Sequence, residues 1–263
     1  MNIFGVIIVK SKNLFAETFA NRNPMGPFII LSEVDSTNNY AMAKLHAGTI
    51  KDGTCFQAIE QSHGKGQRGR SWVVSKGENI TMSLCVRPPH PQFPFLLSAS
   101  MVLGCYDFTK DHSVTDVSVK WPNDVYLNDR KAAGVLIENI FHGSTWTWAV
   151  VGIGLNLNQS DWGGSLPNAT SLKRVTGAVY DVTAMGKLLH RYLIRRIQWM
   201  KTATASEIME QFNTVLYKKN QEVKLKMGAA VFSTVIRSVT HTGELITQDT
   251  MIRSFTVGEV VFL

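Results

Sequence analysis

Apolar residues along the chain fall into two patterns that polar and glycine positions keep apart. The segments 28–31, 54–60, 79–87, 117–121, 131–141 and 145–156 are rich in Val, Ile, Thr or aromatic residues and end at polar or Gly positions, which predicts strands of one sheet. Helices are predicted to start at Ser36, at Phe93-Pro94, at Val182 and at Ser206. In the third, Leu189, Leu193, Ile197 and Met200 recur at i, i+4, i+8 and i+11, one stripe of a 3.6-residue turn. Strands and helices in this order predict an α+β layered domain. After Tyr217 the segments shorten to 221–227, 229–239, 244–247, 251–255 and 259–263, separated by Gly228, by 241–243 and by 257–258, and read as a small β-barrel. A unit of that size buries too little surface to stand alone comfortably, so it is expected to dock on the larger domain.

With 263 residues, 44% of them hydrophobic and 18% charged, the chain can bury a sizeable core, and disordered or fibrous classes are excluded. There are 27 Lys and Arg against 20 Asp and Glu, a net charge of +7, so the surface field attracts anions: a nucleotide, a nucleic acid or an acidic protein. Cys55, Cys85 and Cys105 have no metal-ligand spacing, and their odd number leaves a thiol unpaired in any disulfide scheme, which suits a reducing, cytoplasmic setting. The apolar start of the chain lacks a preceding basic segment and a cleavage site, and the stretch 93–108 is broken by Pro94, Ser98 and Ser100. No signal peptide and no membrane span are expected. Sequons at Asn79, Asn158 and Asn168 carry no meaning without secretion, and no repeat is evident.

Two clusters carry chemistry. Gly64-Lys65-Gly66-Gln67-Arg68-Gly69-Arg70-Ser71-Trp72 satisfies G-x-G-x-x-G and nearly matches a phosphate loop with Arg70 in place of Lys. Both motifs require a helix after the last glycine, whereas 71–74 is β-prone and 75–77 is a turn, so both readings fail. What remains is a loop whose glycines let backbone N–H groups converge on an anion while Lys65, Arg68 and Arg70 supply charge, or else a mobile basic surface loop. In the second cluster, Lys120-Trp121-Pro122-Asn123-Asp124 runs from a strand into a turn, and 131–138 returns as the other arm of a hairpin. Lys120 and Lys131 on one side of it can reach one anion, although spacing alone favours solvated lysines protecting an edge.

Ser36-Thr37-Asn38, the segments 61–72, 120–124 and 131–138, and Gly152-Ile153-Gly154-Leu155-Asn156 occur in the order found in biotin protein ligases. From 28 to 263 the chain resembles that family in its form without an N-terminal DNA-binding domain, and the Gly228, Gly243, Gly258-Glu259-Val260 tail resembles its SH3-like C-terminal domain. The resemblance implies a catalytic domain like that of class II aminoacyl-tRNA synthetases, with a mixed sheet and flanking helices. It also implies three parts: an N-terminal extension (1–27), a catalytic biotin- and ATP-binding domain (28–217) and the SH3-like domain (218–263). The implied reaction joins biotin to ATP as biotinyl-5′-adenylate, with Mg2+ accompanying ATP, and then transfers biotin to one lysine of a biotin carboxyl carrier domain.

By the same resemblance Lys131, Asp124 and Arg70 are catalytic. Ser36, Thr37, Asn38 and Gln61 would meet biotin's ureido head, with Gly64, Lys65, Gly66, Lys131 and Gly134 along the rest of biotin. Arg68, Arg70, Trp72, Lys120, Asn123, Lys131 and Asn156 would bind ATP, Trp72 by stacking on adenine; no resident metal is implied. Taken alone, 35–38 is also a helix cap, Trp72 a core residue, Gln61 a surface glutamine, and Gly152-Ile153-Gly154 a strand closely approached by a ligand or a helix. The family commonly has Arg where this chain has Gln67, so looser retention of the adenylate is expected. The first 27 residues contain no pair of amphipathic helices, so operator DNA is not an expected partner, and Lys187, Arg191 and Arg195 read as a solvated helix face. Family members are often dimers through the sheet edge. The rival readings are a lipoate or octanoate ligase of the same fold and a nucleic-acid-binding relative.

Overall fold

In the computed structural model, which describes residues 26–113, 116–164 and 166–263, seven strands form one mixed sheet in the order β1-β2-β3-β7-β6-β5-β4. They are β1 (Phe28–Val34), β2 (Thr54–Gln61), β3 (Ile80–Val86), β4 (Val117–Lys120), β5 (Asp124–Leu127), β6 (Arg130–His142) and β7 (Thr145–Leu155). β1 and β2 run parallel, and every other neighbouring pair is antiparallel. The expected extension 1–27, including the apolar start of the chain, lies outside the described residues except for Gly26 and Pro27.

Strand alternation sorts side chains onto two faces, and the two faces have different uses. Ile80, Met82, Leu84 and Val86 of β3 and Val151, Ile153 and Leu155 of β7 join the main core with α2 (Pro94–Asp111), α4 (Val182–Met200) and α5 (Ala205–Thr214). Cys85 and Val150 face the other way and pack with Ala41 of α1 (Thr37–His46). Along that second face lie Ser83, Gly152 and Gly154, small or polar residues that leave a hollow beside the first turn of α1.

Some local expectations shift. The helix expected at Ser206 begins at Ala205 because Thr204 caps it: its hydroxyl accepts from Glu207 N–H, and the Glu207 carboxylate accepts from Thr204 N–H in return. A one-turn helix, α3 (Leu172–Thr176), sits between its cap Ser171 and left-handed Gly177; it is too short to show a hydrophobic period. The β-prone run 71–74 forms no strand. Only Ser71 bridges, to Lys65, because the loop closes on itself.

The C-terminal strands β8 (Glu222–Met227), β9 (Ala230–Val239), β10 (Leu245–Gln248), β11 (Ile252–Phe255) and β12 (Val261–Phe262) form a second, wholly antiparallel sheet in the order β11-β10-β9-β8-β12. It docks as expected: Leu225, Ile236, Val239, Leu245 and Val260 belong to the same buried cluster as the main core. Trp121 Nε1 donates to Gly243 O at 2.9 Å, and Gly243, with φ 94°, turns its bare Cα to the ring of Phe95. Among the described residues no helix is long and apolar enough to cross a membrane.

Candidate functional site

A cleft of about 520 Å³ opens on the α1 face of the main sheet, bounded by the first turn of α1, the loop 64–72, the β4–β5 turn, the segment 166–169 and the C-terminal strand β12. At one end the groups are polar and neutral. Ser36, Thr37 and Asn38 are buried at the start of α1, and Ser36, in the cap position, makes no capping bond with its side chain. Gln61 Oε1 accepts from Thr37 N–H at 2.9 Å and lies 3.2 Å from the Thr37 hydroxyl. Ser83 Oγ is 2.8 Å from Thr37 Oγ1 and 2.5 Å from Asn38 Oδ1, so its single proton serves one of them at a time. Asn38 Nδ2 donates to Glu138 at 2.7 Å, and Glu138 also faces Lys65 Nζ at 3.7 Å. This chain fixes the orientation of both amides and leaves Gln61 Nε2 as a donor without a protein partner among the described residues.

The middle of the cleft depends on missing side chains. A Cβ on Gly152 would collide with the Asn38 amide, and one on Gly154 would meet the Trp72 indole. The close approach expected at this strand is therefore made by α1 and by an aromatic ring. Trp72 Nε1 is buried without a partner among the described residues, and Lys131 Nζ lies 5.5 Å from the ring centroid. Trp72 belongs to this cleft and not to the hydrophobic core.

The other end is charged. Asp124 and Lys131 form an ion pair of 2.7 Å across the β5–β6 ladder, next to Gly134, where a Cβ would stand 3.2 Å from Asp124 Oδ1. Burial pushes the Asp124 carboxyl above the usual range although Lys131, Lys120 and Arg70 pull it down. Lys131 is aligned by its backbone, donating to Asn168 O at 2.7 Å and accepting from Thr170 N–H at 2.9 Å. Burial lowers the Lys120 ammonium, against the pull of Asp124. Its Nζ donates to Tyr126 OH at 3.2 Å and sits over the rings of Tyr126, Tyr217 and Phe262 at 4.8, 5.6 and 4.8 Å.

Arg70 lines the cleft with its guanidinium unpaired among the described residues. Four of the expected site residues already bond within the protein. The Gly66 N–H donates to Arg70 O at 2.7 Å, so it closes the loop and does not point at an anion. Arg68 sends two guanidinium nitrogens to the carbonyls of Val257 and Gly258, on the wall of the cleft made by the C-terminal segment. Asn123 and Asn156 use their amide nitrogens on Val135 O and Thr170 O, which leaves their oxygens as their remaining side-chain groups for a ligand. Sequence reasoning missed Ser83 and Glu138, which orient α1's residues, and 257–262, which close one wall. Ser83 carries no motif signal of its own, and Glu138 closes the motif segment 131–138 without having been given a role; the C-terminal glycines were a signal for a turn, not for a wall.

No group of three or more His, Cys, Asp or Glu side chains gathers among the described residues, and the two carboxylates of the cleft already face lysines. A resident divalent-metal cage does not fit this site. The arrangement suits a neutral polar head at one end, an anion at the other, and a flat ring between loop and sheet.

A family model described as the biotin/lipoate A/B protein ligase family matches residues 31–156. The chain is 30% identical over 224 residues to the biotin–[acetyl-CoA-carboxylase] ligase of Paracoccus denitrificans, covering 82% of this chain and 92% of that protein. It is 27% identical over 238 residues to the bifunctional ligase/repressor BirA of Escherichia coli K12, covering 89% of this chain and 74% of that one. A solved biotin protein ligase from Aquifex aeolicus in complex with biotin and ATP superposes with a TM-score of 0.76 over 90% of this chain and 98% of that chain; at 24% identity this establishes a common fold.

Proposed function

Because the chain belongs to the biotin/lipoate A/B protein ligase family, we propose that it activates biotin with ATP to biotinyl-5′-adenylate and transfers the biotinyl group to a lysine of a biotin carboxyl carrier domain. The observation that carries this choice of substrate is the polar end of the cleft, where Thr37, Gln61, Ser83 and Asn38 bond to one another with capacity to spare. A ureido ring offers two N–H donors and a carbonyl, which that set complements at about 0.5–1.5 kcal/mol per bond. An apolar dithiolane would leave the spare Gln61 Nε2 donor unmatched, which disfavours the lipoate reading.

In the first step a carboxylate oxygen must attack the α-phosphorus of a triphosphate and displace pyrophosphate, and like charges at about 4 Å repel by ~4 kcal/mol at an effective dielectric near 20. Lys131 and Arg70 supply the opposing charge. Trp72 offers an indole face to adenine, and the oxygens of Asn123 and Asn156 face the nucleotide. Mg2+ enters with ATP as part of that substrate, since no cage for it gathers among the described residues, and no step is assigned to the ion.

In the second step the carrier's amine attacks the acyl carbon of the mixed anhydride, forms an amide as the acyl–phosphate bond breaks and AMP leaves, and must lose a proton. Asp124, at the cleft's charged end with its pKa raised, orients that amine and accepts the proton late, from the more acidic tetrahedral intermediate. The acceptor is a carboxylase carrier domain, and the reaction belongs to a reducing cytoplasm, where three buried free thiols persist.

Exchange of labelled pyrophosphate into ATP tests the reading. Dependence on biotin supports it, dependence on lipoate selects the rival ligase, and no exchange together with salt-sensitive DNA or RNA binding selects the nucleic-acid reading.

A further inference from the structure

We propose that Arg68 is a positioning residue that latches the glycine loop to the C-terminal sheet, so that this sheet sets how long the cleft stays closed over its adenylate. The proposal rests on the ligase reading for what the cleft holds, but the latch itself exists in the ligand-free chain. Arg68 Nη1 donates to Gly258 O at 3.0 Å and Nη2 to Val257 O at 2.6 Å. This fork joins segments 189 and 190 residues apart in sequence.

Both halves are shaped for the contact. Arg68 has φ 56° and Gly69 φ 74°, and a non-glycine residue holds a left-handed conformation only where its surroundings fix it. That local conformation carries the guanidinium across to the C-terminal sheet. On the receiving side, the turn is closed by Glu259, whose carboxylate accepts from Thr256 N–H at 2.6 Å and whose own N–H donates to Thr256 O at 3.1 Å. Gly258 is left-handed at φ 91°, and a Cβ there would coincide with the guanidinium. Position 258 therefore requires glycine for two separate reasons, its backbone and its partner.

The latch can act on chemistry because the loop moves as one piece. Gly66 N–H donates to Arg70 O at 2.7 Å and Trp72 N–H to Gly64 O at 2.8 Å. Arg70 and Trp72, which face the cleft, are thus carried by the same closed loop whose tip Arg68 ties down. The guanidinium meets carbonyls and not a carboxylate, so the tie is charge-assisted yet reversible, as loading and release require.

Hydrogen exchange on the full ligand-free chain reads the latch directly. Arg68→Ala and Gly258→Ala should each speed amide exchange in 64–72 about tenfold, with α4 unchanged and no further gain in the double variant. Arg68→Lys, which cannot fork between two carbonyls, should fall between. In enzyme loaded with biotinyl-adenylate, Arg68→Ala should release it about tenfold faster. A raised KM for ATP with unchanged loop exchange would make Arg68 a nucleotide ligand and overturn the proposal, as would additive effects of the two single variants. If Gly258→Ala loosens β8 and β9 as a whole, Arg68→Ala and Arg68→Lys decide alone, with unchanged exchange in 64–72 refuting the latch. Wild-type protein that makes no adenylate sinks the ligase reading but leaves the exchange result standing.

Discussion

The indole of Trp72 lies on the bare backbone of Gly154, so close that a Cβ on that glycine would stand 2.5 Å from Cζ2. The strand and the glycine loop therefore fit each other through the absence of one methyl group. Gly154→Ala should push the ring off the strand, cost about 1–3 kcal/mol of stability through overpacking, and raise the KM for ATP at least tenfold. Thermal unfolding with ATP titration checks it; an unchanged KM would show that the ring's seat is irrelevant to nucleotide.

Thr37 should discriminate between the two substrates. Thr37→Val keeps the backbone N–H to Gln61 and removes the hydroxyl that meets both Gln61 and Ser83. The loss of about 1.5 kcal/mol, close to tenfold, should fall on the KM for biotin and leave that for ATP alone. Steady-state kinetics with each substrate varied separately decides it.

Asp124→Asn should slow transfer to the carrier by about a hundredfold and adenylate formation by less than tenfold. The pH dependence has a definite sign. The Asp124 pKa is raised, so as pH falls the base is protonated earlier than an ordinary aspartate, and the transfer rate drops on a limb that Asp124→Asn should lack. Equal losses in both steps count against this role.

Alkaline pH should weaken the fold. Burial pushes Cys85 up to about 12 and raises Cys55 and Cys105 as well, so native thiols stay protonated while unfolded ones ionise from about pH 9. The native state then holds more protons than the unfolded state, and stability falls as pH rises from 9 towards 12, by up to ~1.4 kcal/mol per pH unit for each such thiol. Urea unfolding at pH 8 and pH 10.5 measures it, and Cys85→Ala should flatten the slope. Native protein at pH 8 should also leave all three thiols unreactive to a thiol reagent.

Gln67 puts a neutral amide on the cleft wall where a cation is expected for this family. Gln67→Arg should reduce labelling of bystander lysines relative to the carrier. If the wild-type protein labels only the carrier, retention does not depend on this position.

How much was legible in advance varies by residue. Leu189, Leu193, Ile197 and Met200 announced α4 by period, and the strands of the main sheet announced themselves by β-branched runs, because both signals lie within one element. Glu207 three residues after Thr204 was an equally local signal for the start of α5. By contrast, the 71–74 run has strand composition but joins no sheet, since the backbone of Ser71 and Trp72 is bonded within the loop itself.

The sequence by itself determined which residues can do chemistry: a hydroxyl and amide set at 36–38 and 61, cations at 65, 68, 70, 120 and 131, and glycines where something must come near. Only the tertiary structure decided how those groups are used. It tied Arg68 to the carbonyls of Val257 and Gly258, caged Lys120 among Tyr126, Tyr217 and Phe262, and paired Lys131 with Asp124. The reason is physical. A side chain's type fixes what it can bond, but its partner is set by which distant strands and turns share its space, and a local pattern carries no information about that.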